Sequence, residues 1–174
     1  TKTKVVRPTN SNFLGFTYCK TGPKWECKPT NKSKMNLYNK CRFELIRKKC
    51  ISRSNAITFT RINQIVKGWI NYFRIGKMKI FINKFGQWLR HKIRIIILKQ
   101  WKTPPTIYRN LRILNIKFKE GFDDEILYAV ANSRGGWYKK TMNDVVNFIL
   151  NPRTLAIKKG DRPGLVNPLE YYLR

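Results

Sequence analysis

Acidic residues are scarce in this chain. Its 174 residues include nine Asp and Glu against 37 Lys and Arg, which gives a formal net charge of +28 at pH 7. Residues 45–119 hold nineteen Lys and Arg and not one Asp or Glu. Because a compact chain of this charge repels itself, we expect a polyanionic partner, and nucleic acid is the first candidate.

Histidine and cysteine are also few. His91 is the single histidine, and no CxxC spacing occurs among the four cysteines, which are Cys19, Cys27, Cys41 and Cys50. Structural zinc sites usually show two close pairs of ligands. We therefore expect no metal site, and small buried or half-buried thiols in a reducing compartment.

Long apolar runs are missing as well. The longest, residues 95–98, is far short of the ~20 residues that span a bilayer, so we expect no membrane partner. A basic amphipathic helix would permit binding to anionic lipid, but the aromatic side chains fit a core better. The chain starts without Met or a signal peptide, and we expect it to be a segment of a longer protein.

Apolar material for a folded domain is present. Hydrophobic residues make up 42% of the chain, with five Trp, eight Tyr and ten Phe. Disordered basic tails lack such residues. The mass of 20.7 kDa suits one compact domain, with or without an appendage.

The patterns predict a short hairpin followed by helices. Residues 13–18 and 25–28 suit strands around a turn at 20–24. The predicted helices cover residues 36–49, 59–73, 78–99, 106–118, 124–131, 141–150 and 168–173. The fold class is therefore mainly α: a short N-terminal β-hairpin, then a helical, thumb-like bundle and a short C-terminal helical tail.

Two of these helices carry clear apolar stripes. The stripe of the second helix comprises Ile62, Ile65, Val66, Trp69 and Phe73, and that of the third comprises Ile82, Phe85, Leu89, Ile93 and Ile96. Lys84, His91 and Arg94 lie on another face of the third helix, with Arg90 beside them. We expect Pro104 and Pro105 to end that helix.

Acidic residues mark two later helix starts. Residues 123–125 (DDE) suit the positive end of a helix dipole. Thr141-x-x-Asp144 is close to a capping box that would open the helix over 141–150.

Four short sequence segments, in a fixed order along the chain, carry a resemblance to a known protein family. They are GWINYFR at 68–74, FGQWLRHKIR at 85–94, KQWK with YRNL between 99 and 111, and ANSRGGW at 131–137. Together they resemble the group II intron maturases. Upstream, KTKVV at 2–6 and FLGF at 13–16 look like the last blocks of the reverse transcriptase domain of the same proteins. The resemblance implies a palm end at 1–30, a thumb or maturase-specific X domain at 31–137, and a tail at 138–174.

The departures from the family limit the activity that we expect. The polymerase needs a YxDD turn, and the one Asp-Asp pair, Asp123 and Asp124, has no Tyr before it. Some members end in an HNH nuclease rich in His and Cys, which this chain lacks. We therefore expect no polymerase or nuclease activity and no cofactor in this chain alone. Mg²⁺ is implied only for the missing palm, and whether the chain is part of an active enzyme stays open.

The resemblance also implies a function and partners. The domain would bind group II intron RNA to assist splicing and would grip the RNA–DNA template–primer duplex. Its further partners would be the palm and fingers of the reverse transcriptase, in a ribonucleoprotein of a mobile element. We expect it inside cells, in the bacterial cytoplasm or nucleoid, or in an organelle. The alternative is a non-specific basic architectural or ribosome-associated protein.

Basic and aromatic residues are the candidates for contact with nucleic acid. Arg offers a fork for phosphate, Lys a point charge, and aromatic rings stack on unpaired bases. The predicted set is Lys67, Arg74, Lys84, Arg90, His91, Arg94, Lys99, Trp101, Lys102, Tyr108, Arg109, Asn110, Arg112 and Arg134. Trp101 and Tyr108 could equally pack on the prolines, and Asn110 could equally serve packing. No residue is assigned a catalytic role.

Overall fold

A computed structural model describes residues 5–158 and 163–174. A single 3₁₀ turn, Pro8–Asn10, precedes the hairpin of β1 (Phe16–Thr21) and β2 (Lys24–Pro29). The helices that follow are α1 (Asn31–Glu44), α2 (Arg47–Cys50), α3 (Asn55–Phe73), α4 (Lys79–Trp101), α5 (Pro104–Phe118), α6 (Asp124–Asn132), α7 (Gly136–Met142), α8 (Asp144–Ile149), α9 (Pro152–Ala156) and α10 (Pro168–Leu173). Helices hold 67% of the described residues, so the predicted mainly-α class is confirmed.

The hairpin is antiparallel and closes on a two-residue turn. Thr21 pairs with Lys24, and Gly22 adopts the φ of +62° that such a turn needs. The predicted first strand began three residues too early. Leu14 and Gly15 both have positive φ and make a tight turn before β1 begins at Phe16.

The core is one cluster that α1, α3 and α4 share with the later helices α5, α6, α8 and α9. The predicted stripe of α4 is buried along its whole length. In α3, Ile62, Val66 and Phe73 are buried, while Ile65 and Trp69 are half-buried against the same core. Burial of one apolar stripe per helix is the main stabilising contribution to such a bundle.

Three predicted helix boundaries are wrong, each for a local reason. The first helix ends at Glu44, and a separate short helix, α2, begins at Arg47. Pro104 and Pro105 occupy the first turn of α5, where a missing N–H costs nothing, and α4 has already ended at Trp101. Thr141 lies inside α7, and the cap of α8 is the Asn143 side chain, which accepts from the Val145 N–H at 2.9 Å.

The C-terminal segment returns across the bundle as a strap, defined here as residues 163–173. The buried Asn63 holds it with two hydrogen bonds: its Nδ2 donates to the Gly164 carbonyl at 2.8 Å, and its Oδ1 accepts from Val166 N–H at 2.9 Å. The strap ends in α10, which packs on both α3 and α4. One side of the α3–α4 pair is therefore covered by residues about a hundred positions away.

The four cysteines are free thiols. Cys41 and Cys50 are buried, and Cys19 and Cys27 are half-buried. Burial raises the pKa of the Cys41 thiol to about 12, which keeps it protonated and unreactive near neutral pH. Within the described ranges, no helix combines the length and apolar character that crossing a membrane requires.

Candidate nucleic-acid interface

One face of α4 carries a row of basic and aromatic side chains. Its members, called here the α4 strip, follow Lys84 at helical spacing and comprise Lys84, Trp88, His91, Lys92 and Lys99. Lys84 is exposed and the other four are half-buried. The apolar stripe of α4 is buried in the core, which fixes the position of the helix that carries the strip.

Helix α1 adds a further cation beside the strip. Arg42 lies 5.7 Å from the ring centre of Trp88 and 6.0 Å from that of Tyr38. The two rings meet edge to face at 4.7 Å. Arg42 is exposed, so stacking orients its guanidinium without burying it. Arg42 was not among the contact residues predicted from the sequence. It precedes the segment without acidic residues, 45–119, and lies two positions before Glu44.

The carboxylate of Glu44 does not neutralise this surface. It accepts instead from Arg53 at 3.3 Å and from Arg61 at 3.5 Å, and its side chain is only 13% exposed. The positive field of the strip is therefore left for an external anion.

His91 contributes a neutral ring rather than a charge near pH 7. Its ring meets that of Tyr138 edge to face at 4.6 Å, and its Nδ1 lies 3.4 Å from Thr141 Oγ1. Burial, with smaller contributions from Lys92 and Arg94, lowers the pKa of His91.

The lowered pKa of His91 predicts a pH-dependent stability. The unfolded chain takes up a proton on this ring near the ordinary value of about 6.5, before the folded chain does, so stability falls as pH drops below that value. His91 is the single histidine of the sequence. We expect the melting temperature to fall between pH 7.5 and pH 5 in the wild type and to fall less in His91→Gln. Thermal melts across that range test this, and superimposable profiles would contradict it.

Arg94, which the sequence placed on a face away from the apolar stripe, is buried and lies apart from the α4 strip. Its side chain is buried between α4 and α8, where Nε donates to the Leu150 carbonyl at 2.9 Å. The guanidinium also donates to the side-chain and main-chain oxygens of Asn147. Burial lowers the pKa of Arg94 to about 10, so it is still charged at pH 7. Each of its three nitrogens donates to Asn147 or Leu150, so the side chain joins α4 to α8 instead of facing solvent.

Arg90 faces the strap instead of open solvent. It is half-buried, and it borders the same small cavity as Pro168 at the start of α10. Burial lowers the pKa of Arg90, and the nearby Glu170 opposes that change. Arg90 therefore lies against the strap and not in the α4 strip. Lys67 also adjoins the strap, with its Nζ 5.6 Å from the ring centre of Tyr171.

The remaining predicted residues do not all join the α4 strip. Exposed side chains among them are Lys67, Arg74, Lys102, Arg109, Arg112 and Arg134, and half-buried ones are Trp101, Tyr108 and Asn110. Arg112 Nε lies 3.1 Å from Asp124 Oδ2, and this ion pair partly neutralises the charge of Arg112. Tyr108 packs edge to face on Tyr128 at 5.9 Å, and Trp101 packs against the core.

Within residues 5–158 and 163–174, no three His, Cys, Asp or Glu side chains are grouped closely enough to hold a metal ion. The chemistry that the α4 strip and Arg42 can supply is non-covalent: point charges, one guanidinium fork and the edges of aromatic rings. Charges and a guanidinium fork are groups that can bind phosphate.

A comparison with protein families finds one match in the middle of the chain. Residues 35–113 match the family described as "Group II intron, maturase-specific domain". No curated protein matches the chain. The matched range contains the α4 strip, Arg42 and three of the four segments that carry the resemblance, and it confirms the resemblance there. The segment at 131–137 and the upstream blocks lie outside it.

Proposed function

We propose that the chain binds group II intron RNA through the α4 strip and Arg42. The proposal is supported by the match of residues 35–113 to the group II intron maturase-specific domain, since such a domain implies intron RNA as its partner. Binding would assist splicing by stabilising the folded RNA against the repulsion between its phosphates.

The observation that supports this proposal most is the position of the basic surface. The cations of the α4 strip lie within the matched domain, on one face of its longest helix. Residues 45–119, which include this helix, contain no Asp or Glu that could neutralise them. A structural role would not require Lys84, Lys92 and Lys99 to share a face. Neutralisation of phosphates by such a row releases counterions, which drives association at low salt.

We further propose that this domain acts as the thumb of a reverse transcriptase. The bundle would then grip an RNA–DNA template–primer duplex, and the hairpin would meet the palm and fingers. The exposed apolar side chains on and before the hairpin, Phe13, Leu14 and Trp25, suit such a protein contact. The complex would be a mobile-element ribonucleoprotein located with its intron RNA, in a bacterial cytoplasm or nucleoid or in an organelle.

A competition experiment tests the proposal. Labelled group II intron RNA is bound to the full chain at fixed, near-physiological salt, and unlabelled transfer RNA or RNA–DNA duplex is added. We expect the intron RNA to resist transfer RNA. If all three compete equally, the chain is a non-specific basic binder and the maturase role fails.

A further inference from the structure

We infer that the groove between α1 and α3 binds an unpaired nucleotide of the RNA, with its base stacked beside Trp69 and Tyr72 above Gly68. None of these three residues belongs to the surface argued above. The inference deepens the proposed function, because it rests on RNA binding and names the part of the RNA that this groove accepts.

Gly68 is the first reason. It lies in the interior of α3, where glycine is the poorest helix former apart from proline. Glycine in a helix normally makes room for a neighbour, and Gly86 in α4 does so. A Cβ there would lie 3.1 Å from the Arg90 guanidinium and 3.6 Å from Pro168. At Gly68, a Cβ would meet nothing within 4 Å.

No described residue therefore fills the space above Gly68, which is open to a ligand. A residue without a side chain lets a ligand approach the helix backbone closely. The groove has a volume of about 390 Å³, which falls within the range of about 300 to 1,000 Å³ for small-molecule sites. One nucleotide is a ligand of that class.

The aromatic walls are held in place before any ligand arrives. The Trp69 indole N–H donates to the Ser33 carbonyl at 3.2 Å, and its ring packs at 4.5 Å from that of Phe73. The Tyr72 hydroxyl donates to the Leu14 carbonyl at 3.0 Å while its side chain stays 55% exposed. Fixed rings lose little entropy when a base stacks on them.

Charge favours RNA over a polypeptide as the occupant. Lys40 of α1 borders the groove, and no carboxylate lines it. Lys40 makes no ion pair within residues 5–158 and 163–174. A phosphate attached to the stacked base would form an ion pair with Lys40. An apolar helix of another protein would leave Lys40 without an anion.

The test fills the groove without changing the net charge. Gly68→Leu places a side chain in the open space, and Asn39→Leu adds the same side chain to an exposed site on α1 outside the groove. Binding of a short unpaired oligoribonucleotide and of an RNA duplex is measured by fluorescence anisotropy with the full chain. We expect Gly68→Leu to bind the unpaired RNA about tenfold more weakly and the duplex as tightly as the wild type, and Asn39→Leu to match the wild type for both.

A cross-link locates the base independently of any variant. The wild-type chain is irradiated with an oligoribonucleotide that carries 5-iodouridine, which reacts with aromatic rings stacked on it. Trypsin should release the adduct on residues 68–74, since cleavage after Lys67 and Arg74 leaves Trp69 and Tyr72 in one peptide.

The outcomes separate this inference from the proposed function. Unchanged affinity of Gly68→Leu for unpaired RNA, together with a cross-link elsewhere, would overturn the groove and leave RNA binding by the strip intact. Equal losses for unpaired RNA and duplex would also overturn it, because a duplex offers no free base to stack. A wild type that binds neither RNA defeats the proposed function itself. Thermal melts check folding, and leucine should not lower the melting temperature, since it favours helix over glycine.

Discussion

Replacing Arg94 with glutamate is expected to unfold the protein at a markedly lower temperature. The change puts a carboxylate where the Leu150 and Asn147 carbonyl oxygens previously accepted hydrogen bonds, so acceptors face acceptors in a buried site. Breaking a buried charged contact of this kind costs about 3–5 kcal/mol. For a chain of this length, that loss lowers the melting temperature by roughly 6–20 °C. Thermal denaturation followed by circular dichroism measures it.

Lys84→Glu is the matched control for Arg94→Glu. It makes the same change of charge on the same helix, but at an exposed position. Surface substitutions usually change stability by less than about 0.5 kcal/mol, so its melting curve should lie close to that of the wild type. If Arg94→Glu melts like Lys84→Glu, the buried position of Arg94 between α4 and α8 is wrong.

Reversing the charge of the α4 strip is expected to abolish most RNA binding. The triple variant Lys84→Glu, Lys92→Glu and Lys99→Glu removes three cations from one face and adds three carboxylates there. If each lysine meets one phosphate, affinity for intron RNA should fall on the order of a hundredfold or more. The slope of log affinity against log salt should become shallower by roughly 2 to 3. Filter binding over a salt series yields both values.

A second triple variant separates position from total charge. Lys20, Lys24 and Arg153 are exposed on the hairpin and on α9, away from the strip. Reversing all three changes the net charge by the same amount. We expect a much smaller loss of affinity and a nearly unchanged salt slope. Equal losses in the two triple variants would mean that the whole chain, and not the strip, attracts the RNA.

The local parts of the fold were predictable from the sequence. Apolar stripes fix which face of α3 and α4 turns inward, because burial of that face dominates the stability of each helix. The turn at Gly22 follows from the conformational freedom of glycine. These features depend on residues within a few turns of one another, and the periodicity of the sequence records them directly.

The burial of Arg90 and Arg94 could not be predicted from the local sequence pattern. Helical spacing places both away from the apolar stripe, and a basic residue off the stripe usually faces solvent. Their burial depends on α10 and α8, which begin fifty or more residues later. Nothing in the local pattern records that Asn147 or Pro168 returns to this side of α4.

The candidate interface could likewise be predicted only where its residues lie on one helix. Lys84, His91 and Lys99 were found because they share one helix. Lys92 also carried a usable signal, since it follows Lys84 by eight residues and Trp88 by four. Arg42 carried none, because its place beside Trp88 depends on the packing of α1 against α4. Gly68 stood inside one of the four segments that carry the resemblance, but only the empty space around it indicates a role.

The hydrogen bonds of Asn63 with the strap have a consequence for the nascent protein. The partner carbonyl belongs to Gly164, 101 residues later in the chain. At a synthesis rate of about 5–20 residues per second, α3 therefore waits roughly 5–20 s after it is made before the strap exists. During that interval water must hydrogen-bond to the Asn63 amide, and Arg90 is not yet covered by the strap. The growing chain on the ribosome thus exposes more positive surface than the finished protein does.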